Sequence, residues 1–187
     1  MFTTNNPNII FIHANGFPPN SYGPLFKDLK KTYEVENHLL RPLWIKKTNP
    51  LLVKDWNLFY DDFQNSLNIK KEYIGIGHSI GGNIILKTAI SDSTYFSKII
   101  LLDPTLFVPK IIYMWKIVIL LGLQKKVHPW IASTLNRKMI YNNYEEIFKS
   151  YRVKDVFSKI NNKNLKVYID SITKRYNGKL HITYSKD

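Results

Sequence analysis

The sequence predicts an α/β domain built on a mostly parallel sheet with helices on its faces. Between residues 8 and 102, short apolar runs of strand length alternate with longer segments whose apolar residues recur every three or four positions. Each apolar run ends at a loop that contains glycine or proline. Strands that are apolar along their whole length are typical of a parallel sheet covered on both sides, and the intervening helices would provide that cover.

Four strands and three helices are predicted in this part of the chain. The strands are expected at residues 8–13, 33–40, 72–77 and 98–102. The first helix is expected to follow Ser21 as its N-cap, and the others to cover residues 53–67 and 81–90. In the second helix the apolar side chains share one face; they are Trp56, Phe59, Tyr60, Phe63 and Leu67.

The alternation of strands and helices stops after Pro104. Residues 110–175 have a mostly helical pattern, and residues 179–185 alternate as a strand does. We therefore expect an α/β core over residues 1–108 and a helical cap or lid, inserted after the fourth strand, over residues 109–178. Residues 179–187 are expected to form a strand-like segment that returns toward the core, with the remainder of the fold missing.

The composition is that of a globular protein and excludes cysteine chemistry. Of the 187 residues, 44% are hydrophobic, which is enough for one domain with a core. There is no cysteine, so disulfides, thiolate metal ligands and cysteine nucleophiles are excluded. The polar start has no signal-peptide pattern, and the most apolar run, residues 111–123, is shorter than the roughly 20 residues of a membrane span. We expect a cytoplasmic protein without a metal or cofactor.

The net charge of +13 is distributed unevenly along the chain. Residues 1–109 carry 11 basic and 9 acidic groups, whereas residues 110–187 carry 16 basic and 5 acidic groups. A basic half is compatible with a nucleic-acid or anionic membrane partner. We favour a compositional origin, because Lys, Asn and Ile are abundant together and no arginine-rich cluster indicates nucleic-acid binding.

The segment Gly77-His78-Ser79-Ile80-Gly81 is the most informative motif. A strand is predicted before it and a helix after it, which is the context that the G-x-S-x-G nucleophile elbow requires. The serine lies at the apex of a sharp turn, and small residues two positions before and after it prevent clashes between strand and helix. The alternative, a glycine-rich phosphate loop, lacks the G-x-x-x-x-G-K-[ST] pattern.

A second motif, His13-Ala14-Asn15-Gly16-Phe17, follows the first predicted strand. A loop in this place can supply a backbone N–H to an oxyanion hole, and we assign that N–H to Asn15 with Phe17 as the alternative. His13 is a conceivable base, but we favour a role in holding the loop. The other predicted donor is the N–H of Ile80 at the start of a helix.

Taken in order, these motifs resemble the α/β-hydrolase family. The resemblance rests on residues 13–19, 40–44, 75–82 and 101–104, and it continues into the helical part at residues 144–148, 151–152 and 155–157. It implies a serine hydrolase that acts on an ester, thioester or related acyl bond of a small molecule without a metal. Ser79 would be the nucleophile, and the N–H groups of Ile80 and Asn15 would bind the oxyanion.

The base and the acid of a catalytic triad are not evident in the sequence. After Ser79 only His128 and His181 remain, and neither follows a last sheet strand as the family's base does. Asp103 is a candidate acid, although we favour a turn-capping role before Pro104. Asp187 is the final residue. By resemblance we expect a truncated chain whose base histidine lies beyond residue 187.

The apolar run within residues 111–121 suggests a site for a hydrophobic acyl group, with Phe17 and Trp115 as candidate pocket residues; packing of the cap is an equally good explanation. Neighbouring lysines, at positions 110, 125 and 126, would favour anionic substrates or membrane surfaces. Two other functional classes stay open: a non-catalytic binding protein with the hydrolase fold, and a peripheral membrane protein that uses residues 111–123.

Overall fold

The structure is a computed structural model of the 187-residue chain, and it describes residues 7–43, 49, 53, 55–127 and 134–184. His128 and Asp187, and Trp44 at the end of the motif over residues 40–44, lie outside the described residues. The side chains of residues 124 and 125 are also outside the description.

A four-stranded sheet forms the centre of the first half of the chain. Its strands are β1 (Asn8–Ile12), β2 (Glu34–His38), β3 (Tyr73–His78) and β4 (Phe96–Leu102). The order across the sheet is β2-β1-β3-β4, and every neighbouring pair is parallel. The prediction of a mostly parallel sheet flanked by helices is confirmed.

Strand β1, in the interior of the sheet, is buried on both faces and alternates large apolar side chains between them. Ile9 and Phe11 point to one face, where Phe26 and Ile76 complete a cluster. Ile10 and Ile12 point to the other face, where they join a larger cluster with Phe59, Phe63, Tyr73, Ile84 and Ile85. The central position of β1 explains why its sequence is apolar without interruption.

Three helices cover the sheet: α1 (Gly23–Leu29), α2 (Asn57–Ser66) and α3 (Ile80–Ser91). The predicted capping role of Ser21 is wrong. Ser21 lies in a 3₁₀ turn over Pro19–Tyr22, and its hydroxyl donates to the carbonyl of Pro18. Helix α2 begins later than predicted, where the Asp55 carboxylate accepts the N–H of Asn57 (2.8 Å).

The chain after β4 folds into helices and a small antiparallel sheet. The helices are α4 (Pro109–Leu120), α5 (Gln124–Val127), α6 (Tyr144–Arg152), α7 (Asp155–Ser158) and α8 (Asn162–Ile172). The strands are β5 (Ile140–Tyr141), β6 (Thr173–Tyr176) and β7 (Lys179–Ile182), in the order β5-β7-β6. We refer to residues 134–184 as the second unit.

The strand predicted near residue 180 exists as β7, but it pairs with β5 and β6 and not with the parallel sheet. Its return toward the core is made by side chains beyond it, as the hydroxyl of Tyr184 reaches the carbonyl of Gly16. The second unit has a core of its own, in which Ile147, Leu165, Ile169 and Ile172 are fully buried. Beside its helices this part of the chain contains the three short strands β5, β6 and β7.

Helix α4 has no buried residue, although it is apolar on nearly every side. Its most exposed large side chain, Leu120, is 85% accessible, and Trp115 is half-buried. Within the described part of the chain, every helix is too short or too polar to cross a bilayer.

Candidate active site

Ser79 occupies a single-residue turn between β3 and α3. Its φ of 53° and ψ of −118° place its backbone in a region that residues other than glycine rarely adopt. Strand β3 ends one residue before it and helix α3 begins one residue after it. The turn therefore projects a serine from the carboxyl edge of a parallel sheet, which is the edge where sites form in open α/β folds.

The two flanking glycines are required by direct backbone contact. A Cβ on Gly77 would lie 2.3 Å from the carbonyl oxygen of Gly81. A Cβ on Gly81 would lie 2.2 Å from the carbonyl oxygen of Ile12 in β1. Both distances are far inside van der Waals contact with backbone atoms that cannot move independently, so any side chain would force the strand and the helix apart.

Two further residues lie at this turn: Thr105 beside the Ser79 side chain, and Asn83 one turn along α3. The Oγ atoms of Ser79 and Thr105 are 3.4 Å apart. The Asn83 side chain holds the Thr105 segment in place by donating to the Thr105 carbonyl (2.7 Å). In the sequence, the one indication that Thr105 lies near the serine is that it directly follows Asp103-Pro104, after the end of β4.

The loop after β1 is fixed by His13, as predicted. Its Nδ1 donates to the carbonyl of Ala14 (2.8 Å), and its Nε2 accepts the N–H of Leu40 (3.1 Å). Both ring nitrogens are thus occupied, and burial lowers the pKa of His13 against the opposing effect of the Ala14 carbonyl. A neutral, fully bonded imidazole is a structural group and not a free base.

The same loop closes in a β-turn over residues 14–17. The N–H of Phe17 donates to the carbonyl of Ala14 (3.1 Å), and Gly16 takes the positive φ of 76° that the turn requires. Phe17 N–H is therefore occupied. The N–H of Asn15 makes no hydrogen bond to any described residue, and Asn15 is exposed.

His78, next to the serine, is bonded to Tyr22 and not to Ser79. The Tyr22 hydroxyl lies 2.8 Å from His78 Nδ1 and accepts the N–H of Ala14 (3.1 Å). Burial raises the pKa of Tyr22 to about 12, so the phenol keeps the proton that it shares with His78. Burial lowers the pKa of His78, and the charge of Asp103 partly opposes this shift. These contacts give His78 a structural role beside Tyr22.

Among the described histidines, which are His13, His38, His78 and His181, none forms a hydrogen bond with Ser79 Oγ. His181 lies on β7, where its ring stacks edge-on against Tyr176. Asp103 is exposed and adopts a positive φ of 47° directly after β4. Its acid role stays a prediction.

The two candidate pocket residues lie in different surroundings. The ring of Phe17 packs against Tyr168 and Phe157 of the second unit, at centroid distances of 4.9 and 6.0 Å. Trp115 lies on the exposed helix α4. A depression of about 480 Å³ is lined by Tyr144, Glu145, Phe148, Asn162 and Lys166, away from Ser79. The described residues contain no cluster of three metal-ligating side chains.

A parallel sheet with a strained serine at the β3–α3 turn defines the class of α/β hydrolases. The chain belongs to the family described as serine aminopeptidase, S33, whose profile matches residues 46–175. A comparison with curated proteins gives no significant match.

Solved structures share the fold at low sequence identity. A thioesterase domain from the curacin biosynthetic pathway matches with a TM-score of 0.69 and 14% identity, over 97% of this chain and 64% of that one. A putative hydrolase from Rickettsia typhi matches with a TM-score of 0.71 and 15% identity, over 98% and 61%. An α/β hydrolase from Novosphingobium aromaticivorans matches with a TM-score of 0.71 and 11% identity, over 98% and 61%. The chain thus spans less than two thirds of the length of these structures.

Proposed function

We propose that this chain carries the nucleophile of a serine hydrolase acting on an ester, thioester or related acyl bond. The observation that supports the proposal most strongly is the strained backbone of Ser79, held between glycines that tolerate no side chain. Strain of this kind persists only where the surrounding structure enforces it, and it is concentrated at functional sites.

In the proposed reaction, Ser79 Oγ attacks the acyl carbon and the carbonyl oxygen becomes an oxyanion. The N–H of Ile80, at the first position of the twelve-residue helix α3, has no partner within the helix and lies at its positive end. The N–H of Asn15 is the second donor, because Phe17 N–H is already bonded to Ala14. Together these two groups would stabilise the tetrahedral intermediate.

The attack also requires a base that removes the Ser79 proton. The described histidines do not bond to Ser79 Oγ, so the proposal requires a base from outside the described residues, which are 7–43, 49, 53, 55–127 and 134–184. Thr105 Oγ1 lies within hydrogen-bonding distance of Ser79 Oγ. It cannot serve as the base, because a neutral hydroxyl is too weak a base at neutral pH. We expect a histidine from a segment that the structure does not describe.

Labelling with a fluorophosphonate, which phosphonylates activated serines, tests the proposal. The adduct is located by mass spectrometry of the parent chain, of Ser79→Ala, and of Ser91→Ala as a control at the exposed far end of the same helix. Because a base is required, imidazole is added over a concentration series at constant pH. We expect the adduct on Ser79 alone, at a rate that increases with imidazole and is unchanged in Ser91→Ala.

A second candidate function is a non-catalytic binding protein with a hydrolase fold. It is favoured by the same contacts that leave Ser79 Oγ without a histidine among the described residues. Failure of Ser79 to react at every imidazole concentration, in a chain shown to be folded by circular dichroism, would rule out the nucleophile and support this second candidate.

A further inference from the structure

The carbonyl oxygen of Gly16 accepts hydrogen bonds from two tyrosines of the second unit. The hydroxyl of Tyr168 on α8 lies 3.1 Å away, and that of Tyr184 beyond β7 lies 3.0 Å away. The two hydroxyls are also 3.0 Å from each other. Each hydroxyl has one proton, so the two tyrosines supply two protons for these three contacts. At least one tyrosine donates to the Gly16 carbonyl, and the other donates either to the same carbonyl or to the hydroxyl of the first.

We infer that Tyr168 and Tyr184 are positioning residues that hold the 14–17 loop in the conformation from which Asn15 N–H can bind an oxyanion. We call the pair of hydroxyls on the Gly16 carbonyl the tyrosine clamp. The catalytic part of this inference, that the loop presents Asn15 N–H to an oxyanion, rests on the proposed function. The structural part, that the tyrosines hold the loop, rests on the hydrogen bonds of the loop alone.

The first step of the argument concerns the direction of the Asn15 N–H. In a trans peptide the N–H points opposite to the carbonyl of the same unit, and the described chain has no cis peptide. The carbonyl of Ala14 is held by His13 and by the N–H of Phe17. These two bonds direct the Asn15 N–H to the opposite side, away from the interior of the turn.

The second step concerns what keeps the turn closed. Gly16, with its φ of 76°, is the most freely rotating residue of the loop. The Gly16–Phe17 peptide contains both the carbonyl that the clamp binds and the N–H that closes the turn. A rotation of this peptide that broke the turn would also break the clamp, so the second unit stabilises the turn from outside.

The clamp is well placed to act because its tyrosines are buried and neutral. Tyr168 is 6% exposed and its ring packs against Phe17, Phe157 and Tyr151. Burial raises the pKa of both Tyr168 and Tyr184, so each keeps its proton at neutral pH. A buried hydroxyl without a partner is costly, which means that the clamp bonds also benefit the tyrosines.

The consequence is that the two halves of the oxyanion site depend on different parts of the chain. Ile80 N–H is fixed by the elbow itself. Asn15 N–H is fixed by His13 from one side and by the docking of α8 from the other. Displacement of α8 from the Pro19–Tyr22 turn, which it contacts closely, would release only the second donor.

The test removes only hydroxyls, so that the rings and the core packing stay. Variants Tyr168→Phe, Tyr184→Phe and the double variant are compared with Tyr176→Phe, which removes a hydroxyl from a tyrosine that is 65% exposed on β6. Amide hydrogen exchange of residues 14–17 is followed by mass spectrometry. We expect exchange roughly tenfold faster in the double variant, as for the loss of one ordinary hydrogen bond, and no change in Tyr176→Phe.

The same variants are labelled with the fluorophosphonate in the presence of imidazole. We expect the first-order rate constant for modification of Ser79 to fall about 10- to 100-fold in the double variant, with the half-saturating probe concentration unchanged, because misplacement of a donor affects the reaction and not the encounter. Unchanged exchange in the double variant would overturn the clamp. Faster exchange with an unchanged modification rate would overturn its positioning role. If the parent chain does not react at all, the proposed function fails, and exchange alone decides whether the clamp exists.

Discussion

The backbone N–H of Ser79 donates a hydrogen bond to the carbonyl of Leu102 at 2.9 Å. The register of β3 and β4 pairs His78 with Leu102, so this bond adds one step to the ladder beyond the last residue of β3. The serine is thereby tied to the neighbouring strand on one side, while Gly77 and Gly81 bring α3 close on the other. A positive φ at Ser79 persists because both sides are fixed.

The elbow glycines are predicted to be the least replaceable residues of the core. Gly81→Ala places a methyl group 2.2 Å from the carbonyl oxygen of Ile12, and relief requires α3 to move away from β1. We expect a loss of about 3 kcal/mol or more in the free energy of unfolding, measured by urea titration. Gly178→Ala is the control, because its Cβ meets nothing within 4 Å and its cost, about 1 kcal/mol, comes from the positive φ alone. Equal costs at both positions would contradict the clash.

His13 is predicted to matter for stability and not as a base. His13→Leu fills a similar volume but leaves the N–H of Leu40 without its acceptor in a buried place. The expected loss is about 1–3 kcal/mol in the free energy of unfolding. His181→Leu, which changes a half-buried histidine on β7, is the comparison and should cost clearly less. If His13 were instead the base, its replacement would abolish the imidazole-independent labelling of Ser79 while stability stayed the same.

His38 is predicted to make the protein less stable as the pH falls. Burial lowers the pKa of His38 from 6.5 to about 4, and the charge of Asp62 opposes this only in part. The hydroxyl of Ser66 donates to Phe63, so His38 Nδ1 donates to Ser66 and leaves Nε2 unprotonated in a buried place. Between pH 6.5 and 4 the unfolded chain therefore binds more protons than the folded chain, and stability falls as pH decreases through this range.

The size of this effect is about 2 kcal/mol between pH 7 and pH 5. Urea titrations of the parent chain and of His38→Gln at several pH values measure it. The variant should show a weaker dependence on pH, with the contribution of His13, whose pKa is also lowered by burial, remaining. Parallel stability curves for the two proteins would show that His38 titrates normally.

The ion pair of Arg41 and Asp62 is predicted to connect the loop after β2 to helix α2. The guanidinium contacts both carboxylate oxygens, with Nη2 at 2.7 Å from Oδ1, and the Asp62 side chain is only 12% exposed. A double-mutant cycle with Arg41→Lys and Asp62→Asn should give a coupling of about 1 kcal/mol, since lysine cannot reproduce the two-point contact. The exposed pair of Lys31 and Asp28 is the matched comparison, and its coupling should be too small to measure.

Several features of the fold could be read from neighbouring residues because their causes are local. The apolar run of β1 reflects burial on both faces, and Gly77 is required by a clash with Gly81 four positions along the chain, although Gly81 itself is required by Ile12 of β1. The start of the first helix was misassigned, because the Ser21 hydroxyl bonds to Pro18 in a 3₁₀ turn, and local patterns do not distinguish that turn from an N-cap.

By itself the sequence determined the parallel sheet, the elbow and the loop held by His13, because each depends on periodicity or on contacts between segments with clear local signals. Only the tertiary structure decided which partner each polar group takes. Tyr168 and Gly16 are 152 positions apart, and nothing in the pattern around either residue indicates the other. Thr105 becomes a neighbour of the serine for the same reason: the pairing of β3 with β4 brings it beside Ser79 and within reach of the Asn83 side chain, and its own surroundings in the sequence carry no sign of these contacts.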